Sequence, residues 1–126
     1  MKRIIIFLGL ILLIINSAYS QNLSCKKFRA GKFEIYADTF RIELERKGNY
    51  QYEKAPFGTS KYKIEWTSEC EYVLELLETT IVTIKQNIGE KYFVKIIGVK
   101  DDTYNYECRV KGVNYIDKGS ITKVSD

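Results

Sequence analysis

The sequence predicts an all-β protein, an antiparallel meander of six to eight short strands that closes into a small up-and-down barrel with one short helix. Polar and apolar residues alternate through most of the chain after residue 30, which is the period of a strand with one buried face. Glycine and other turn residues separate these segments. Closure into a barrel leaves no strand edge unpaired, and the alternative is an open sheet with one helix packed on it.

Each predicted strand has an apolar face. In the first, Gly31–Ala37, the side chains of Phe33 and Ile35 share one side. A hairpin follows over residues 39–54, with Lys47-Gly48-Asn49 at its turn. The later strands are predicted over residues 61–66, 70–76, 92–99, 104–110 and 120–124. No linker divides these segments, so residues 21–126 are expected to form a single barrel-like domain.

Residues 79–89 fit two kinds of structure. Their β-branched side chains favour a strand, but Ile81, Ile84 and Ile88 recur at helical spacing before Gly89. We predict a short helix or an irregular crossover here.

The first twenty residues predict export. Lys2 and Arg3 precede an apolar run over residues 4–15, and the small side chains of Ala18 and Ser20 favour cleavage near Ser20. The run is too short to span a membrane, so no transmembrane span is expected in the mature chain. We expect a periplasmic or secreted protein. Its small surplus of basic residues provides no strong field for nucleic acid, and none is expected as a partner.

Three cysteines, Cys25, Cys70 and Cys108, remain after such cleavage and enter a compartment where disulfides persist. A Cys25–Cys70 bond would fasten the N-terminal segment to the sheet and leave Cys108 unpaired. The alternative is that all three are small buried side chains. Lipidation of Cys25 is a minority alternative, because Asn22-Leu23-Ser24 separates it from the apolar run.

Several short motifs resemble a family of small exported bacterial proteins whose members often carry the misleading label DNA topoisomerase IV. They are Cys25-x-x-Phe-x-x-Gly31-Lys-Phe33, Arg46 with Gln51-x-Glu53, and Trp66-x-x-x-Cys70-x-Tyr72-x-Leu74. The resemblance implies a Cys25–Cys70 disulfide. Gly31-Lys32-Phe33 is also similar to the Gly-x-Trp opening of lipocalin and calycin barrels, with Phe in place of Trp.

Most catalytic machinery is missing from the sequence. It has no histidine, no Gly-x-Ser-x-Gly motif and no Cys-x-x-Cys pair. Glu43 with Glu45, and Glu71 with Glu75, share strand faces, but lysines and other glutamates surround them, which is typical of a solvated face. The acidic pair at residues 101–102 is typical of a turn. We therefore expect a protein that is not an enzyme, with no cofactor and no metal.

Two hypotheses for function remain. In the first, the barrel mouth binds a small apolar ligand or lipid, although the same side chains could simply fill a small barrel. In the second, the protein acts through its surface on an envelope protein partner, as an interaction or inhibitory module with a filled barrel. The first uses Phe33, Ile42, Trp66, Tyr72 and Tyr106, and the second uses Arg46, Tyr50 and Gln51 as surface contacts near a hairpin tip.

Overall fold

Eight antiparallel strands form a closed barrel in the computed structural model, which describes residues 23–126. The strands are β1 (Gly31–Ala37), β2 (Phe40–Lys47), β3 (Tyr50–Ala55), β4 (Gly58–Ser68), β5 (Glu71–Thr79), β6 (Lys91–Lys100), β7 (Thr103–Val110) and β8 (Ile116–Ser125). The predicted up-and-down barrel is confirmed, and the open sheet is not what forms. The predicted signal peptide, residues 1–20, lies outside the described residues. Within residues 23–126, no helix is both long and apolar enough to cross a membrane.

Each strand pairs with the next one in sequence, and pairing of β1 with β8 closes the barrel. Gly31 lies at this closure with a φ of 119°, in a region that L side chains rarely adopt. A Cβ there would lie 2.6 Å from the carbonyl oxygen of Ser125. The first and last strands can therefore meet at this point only because position 31 has no side chain.

The apolar face of most strands turns into the barrel, as the alternation predicts, but β3 turns its polar positions inward. The buried core contains one or two side chains from nearly every strand and two from the segment before β1. Its members are Cys25, Phe28, Phe33, Leu44, Ile64, Tyr72, Leu74, Val94, Ile96, Tyr104 and Ile121.

The N-terminal segment covers one end of the barrel, which we call the closed end. A 3-10 helix, Lys26–Arg29, places the Phe28 ring inside, 4.7 Å from the Tyr104 ring. A disulfide joins Cys25 to Cys70 in the β4–β5 turn, which confirms the predicted pair. The sulfur of Cys25 is therefore not free for the lipidation considered as an alternative.

The short helix predicted within residues 79–89 is a 3-10 helix, Val82–Asn87, inside the β5–β6 connection. No α-helix occurs in the described part of the chain. The residue before this turn, Ile81, makes no side-chain cap hydrogen bond, and none of the six helical residues is buried. An uncapped segment without a packed face cannot propagate an α-helix, so the structure stays a short turn.

Candidate functional site

Arg46 lies inside the barrel, immediately beneath the closed end. The alternation that turns Ile42 and Leu44 inward also turns Arg46 inward, because all three occupy every second position of β2. Arg46 is only 2% exposed, and Phe33 and Tyr72 are equally buried beside it. A cation in this position requires partners from several strands.

The guanidinium of Arg46 donates four hydrogen bonds. Nε donates to Oε1 of Gln51 at 2.8 Å, and Nη1 donates to the carbonyl oxygen of Phe28 at 2.8 Å. Nη2 donates to the hydroxyls of Tyr72 at 3.0 Å and Tyr104 at 2.7 Å. The side chain of one β2 residue thus joins β3, β5, β7 and the N-terminal 3-10 helix.

Aromatic rings surround the same guanidinium. The ring centroids of Phe33 and Tyr72 both lie 4.7 Å from Cζ of Arg46, within the range of a cation–π contact. Burial lowers the pKa of Arg46, but its contacts with Tyr72 and Tyr104 outweigh this and leave that pKa above its ordinary value. Burial also raises the pKa of Tyr72 well above the ordinary value, so its phenol stays neutral. The cluster is a charged arginine held by neutral rings and oxygens.

Glu53 extends this polar network along β3. Its Oε2 accepts a hydrogen bond from Nε2 of Gln51 at 2.8 Å, so Gln51 bridges the arginine and the carboxylate. Burial raises the pKa of Glu53, and both the Gln51 bond and the positive charge of Arg46 lower it without cancelling that effect.

The predicted surface contacts need a correction. Arg46 and Gln51 are 2% and 1% exposed, so they belong to the interior and offer no surface to a partner. Tyr50 does lie outside, 39% exposed, with Nζ of Lys61 4.5 Å from its ring. The physical reason is that β3 turns its polar positions, Gln51 and Glu53, inward and its tyrosines outward.

The five residues predicted to line a barrel mouth lie in two different parts of the barrel interior. Phe33 and Tyr72 belong to the arginine cluster, and Trp66 packs against Tyr72 with ring centroids 4.7 Å apart. Ile42 and Tyr106 are partly buried and pack against the core. All five therefore belong to or pack against the core, and Phe33, Tyr72 and Trp66 surround the guanidinium of Arg46. Sequence analysis missed Glu53 and Tyr104 as parts of this arrangement.

Three tyrosines, Tyr62, Tyr92 and Tyr106, pack against the core farther from the closed end. Tyr106 lies directly over Gly119, where an added Cβ would meet its hydroxyl oxygen at 2.6 Å. Burial, followed by the charge of Asp117, raises the pKa of Tyr106 to about 12. Tyr62 and Tyr92 meet edge to face with centroids 6.3 Å apart. Among the described residues, no buried side-chain nitrogen or oxygen lacks a hydrogen-bond partner.

The outer surface carries a groove of about 790 Å³ that crosses β1 to β5, here called the cross-strand groove. Its walls are two rows of outward side chains that are cross-strand neighbours, and its floor is the strand backbone between the rows. One row contains Glu34, Glu43, Lys54, Thr59 and Thr80, and the other contains Lys32, Glu45, Tyr52, Lys61 and Glu78.

The carboxylate pairs considered for catalysis lie outside the barrel. Glu43 and Glu45 belong to opposite walls of the cross-strand groove, and Arg41 forms ion pairs with Glu43 at 3.1 Å and Glu34 at 3.3 Å. In residues 23–126, no group of three or more acidic or cysteine side chains is arranged to hold a metal ion.

Fold and site together define a closed, eight-stranded up-and-down barrel with a self-satisfied polar interior and a charged groove on its outer face. Scans against protein-family models, curated proteins and solved structures found no match to this chain.

Proposed function

We propose that this protein is an exported, non-catalytic interaction module that binds an extended segment of a partner protein in the cross-strand groove. The observation that carries the proposal is the contrast between the two surfaces of the barrel. Inside, the buried polar side chains pair with one another, whereas outside, charged side chains border an open groove.

The interior supports this proposal because its buried polar groups already have partners within the protein. Ligand sites combine an apolar cavity with a few polar groups that wait for a partner. Here Arg46 already makes four hydrogen bonds, and the described interior has no unpartnered polar side-chain atom.

The groove supports the proposal through its unpaired charges. Lys32, Lys54 and Lys61 form no ion pair with another residue of the described chain. Their cross-strand neighbours are Glu45, Glu43 and Glu78, so each wall mixes both signs. Such walls suit a polar chain of mixed charge better than a nucleic acid or a lipid tail.

The length of the groove also suits an extended chain. Five neighbouring strands spaced about 4.8 Å apart give a span of about 19 Å, which about six residues of extended peptide would fill. Tyr52 stands in one wall and is 41% exposed, so it offers an aromatic surface to such a segment.

Site-specific crosslinking tests the proposal. A photoreactive phenylalanine analogue replaces Tyr52 in the groove, and a matched variant carries it at Phe93, an exposed aromatic residue of β6 outside the groove. Both variants are expressed in the organism of origin and irradiated in intact cells. We expect a defined protein adduct from position 52 that position 93 does not give.

Charge reversal then ties the adduct to the groove. Lys54→Glu combined with Lys61→Glu should lower the adduct yield by about tenfold or more. The new glutamates would repel the acidic side chains of the partner that the two lysines are proposed to contact. Lys95→Glu with Lys118→Glu, at two lysines that do not line the groove, is the matched control and should leave the yield unchanged. Equal adducts from both positions would contradict the proposal. So would native mass spectrometry that finds a stoichiometric small molecule retained by the folded protein.

A further inference from the structure

The end of the barrel opposite the disulfide carries a concentration of exposed apolar side chains. In an up-and-down barrel, alternate connections lie at the same end, so the β1–β2, β3–β4, β5–β6 and β7–β8 connections share one end. The disulfide and the N-terminal 3-10 helix lie at the other end. We call the end formed by these four connections the apolar end.

Six of the eleven exposed large apolar side chains in the described chain belong to the apolar end. Val82 is 76% exposed and Tyr115 is 67% exposed, which is far more than packing inside one barrel would leave. Phe57 packs edge to face on Phe40, with centroids 5.1 Å apart, and so links the β1–β2 and β3–β4 connections. The six side chains are Tyr36, Phe57, Val82, Ile88, Val113 and Tyr115.

Basic side chains accompany these apolar ones in the sequence. Lys54, Lys85, Lys91 and Lys111 each lie two or three residues from Phe57, Val82, Ile88 and Val113 respectively. None of the four lysines forms an ion pair within residues 23–126. With the two flanking strand residues on each side, the four connections hold six basic and four acidic residues, a net charge of +2.

We propose that the apolar end docks on an anionic lipid surface. Apolar tips on several separate connections can each enter the headgroup boundary to a shallow depth, and no single groove is needed to receive them. Tyrosine is suited to that boundary because its ring is apolar and its hydroxyl is polar. Lysine stems can lie along the apolar layer while their ammonium groups reach the anionic headgroups.

This arrangement leaves the rest of the molecule facing away from the lipid. The cross-strand groove lies on the side wall of the barrel and reaches the apolar end at Lys54, Thr59 and Thr80. Docking of the apolar end does not depend on the function proposed for the groove.

Vesicle sedimentation tests the proposal with the mature chain, residues 21–126. We expect the protein to bind vesicles of phosphatidylcholine and phosphatidylglycerol about thirtyfold more tightly than vesicles of phosphatidylcholine alone. Two net basic charges near an anionic surface strengthen binding by about this factor. The triple variant Val82→Ser, Val113→Ser, Tyr115→Ser should lower binding to the mixed vesicles by about tenfold or more.

The matched control is Ile97→Ser with Val124→Ser, which removes exposed apolar side chains of β6 and β8 nearer the closed end and should bind as the wild type does. Both variants change exposed residues, and equal urea midpoints would verify that they fold.

Failure of the wild type to bind mixed vesicles would overturn the inference, and so would an equal loss in the control. A wild-type dimer that the triple variant dissolves, without vesicle binding, would instead assign this surface to a second copy of the chain. The groove variant Lys54→Glu, Lys61→Glu is not suitable for this test, because Lys54 belongs to both surfaces. Tyr52→Ser changes the groove without changing the net charge and should leave vesicle binding unchanged.

Discussion

Replacing Arg46 with methionine should remove the main polar connection of the barrel. Methionine keeps an unbranched stem of similar reach but has no hydrogen-bond donor. The two tyrosine hydroxyls would retain each other as partners, since their oxygens are 2.8 Å apart. The carbonyl oxygen of Phe28 and Oε1 of Gln51 would lose the donors that they have in the wild type.

The size of the effect follows from those two acceptors. A buried acceptor left without a donor costs about 1–3 kcal/mol, so two of them cost about 4 kcal/mol. Relief from burying the cation opposes this loss, and the lost cation–π contacts of Arg46 add to it. We expect Arg46→Met to lower the free energy of unfolding by about 4 kcal/mol, a large part of the ~5–15 kcal/mol typical of a domain.

Urea denaturation with the disulfide intact measures this change, followed by the fluorescence of Trp66. Trp66 is the only tryptophan, and its ring lies 5.9 Å from Cζ of Arg46. The matched control is Arg41→Met on the outer face of the same strand, whose exposed ion pairs should contribute no more than about 1 kcal/mol. If Arg46→Met and Arg41→Met lowered the free energy of unfolding by the same small amount, the hydrogen bonds of Arg46 would not be what stabilises the closed end.

Three further predictions concern the disulfide, the buried carboxylate and the packing over Gly119. Cys70→Ser opens a loop of 45 residues and should lower the free energy of unfolding by about 4 kcal/mol, measured by chemical denaturation. A variant as stable as the wild type would contradict that assignment. Glu53 has a raised pKa in the folded protein, so its ionisation opposes folding at neutral pH, and this cost disappears as the pH falls below the unfolded-state value of about 4.5. Glu53→Gln should therefore be more stable than the wild type at neutral pH, with an advantage that shrinks in acid; a constant difference from pH 7 to pH 3 would exclude the mechanism. Gly119→Ala places a methyl group against the Tyr106 ring and should cost about 1–3 kcal/mol. Gly98→Ala, where a Cβ meets nothing closer than 3.7 Å, is the control and should lose clearly less in the same thermal unfolding assay.

The sequence predicted most of the fold because polar and apolar residues alternate along strands that have one buried face. Alternation identified the inward face of β1 and β2, and Gly48-Asn49 identified the turn between β2 and β3. The disulfide also agreed with the prediction. These features depend on local spacing or on few residues, so a single chain is enough to show them.

The arginine cluster was missed although a signal for it is present. Arg46 follows Ile42 and Leu44 at the same spacing of two, so it continues their face. A two-residue turn then pairs Arg46 with Gln51 and directs both side chains inward. The prediction assigned both residues to the surface because they are polar and near a hairpin tip. That prediction gave more weight to the polarity of the two side chains than to the alternation along the strand.

By itself, the sequence determined the strands, their meander order and the buried face of most strands, since period and turn chemistry are local properties of the chain. The exception is β3, which buries its polar face. Only the tertiary structure decided what the barrel encloses and what its outside presents. The guanidinium of Arg46 acquires partners from β3, β5, β7 and the N-terminal 3-10 helix, and no local pattern specifies such a meeting. The cross-strand groove and the apolar end likewise arise when closure of β1 on β8 brings distant strands and connections to one wall and one end of the barrel.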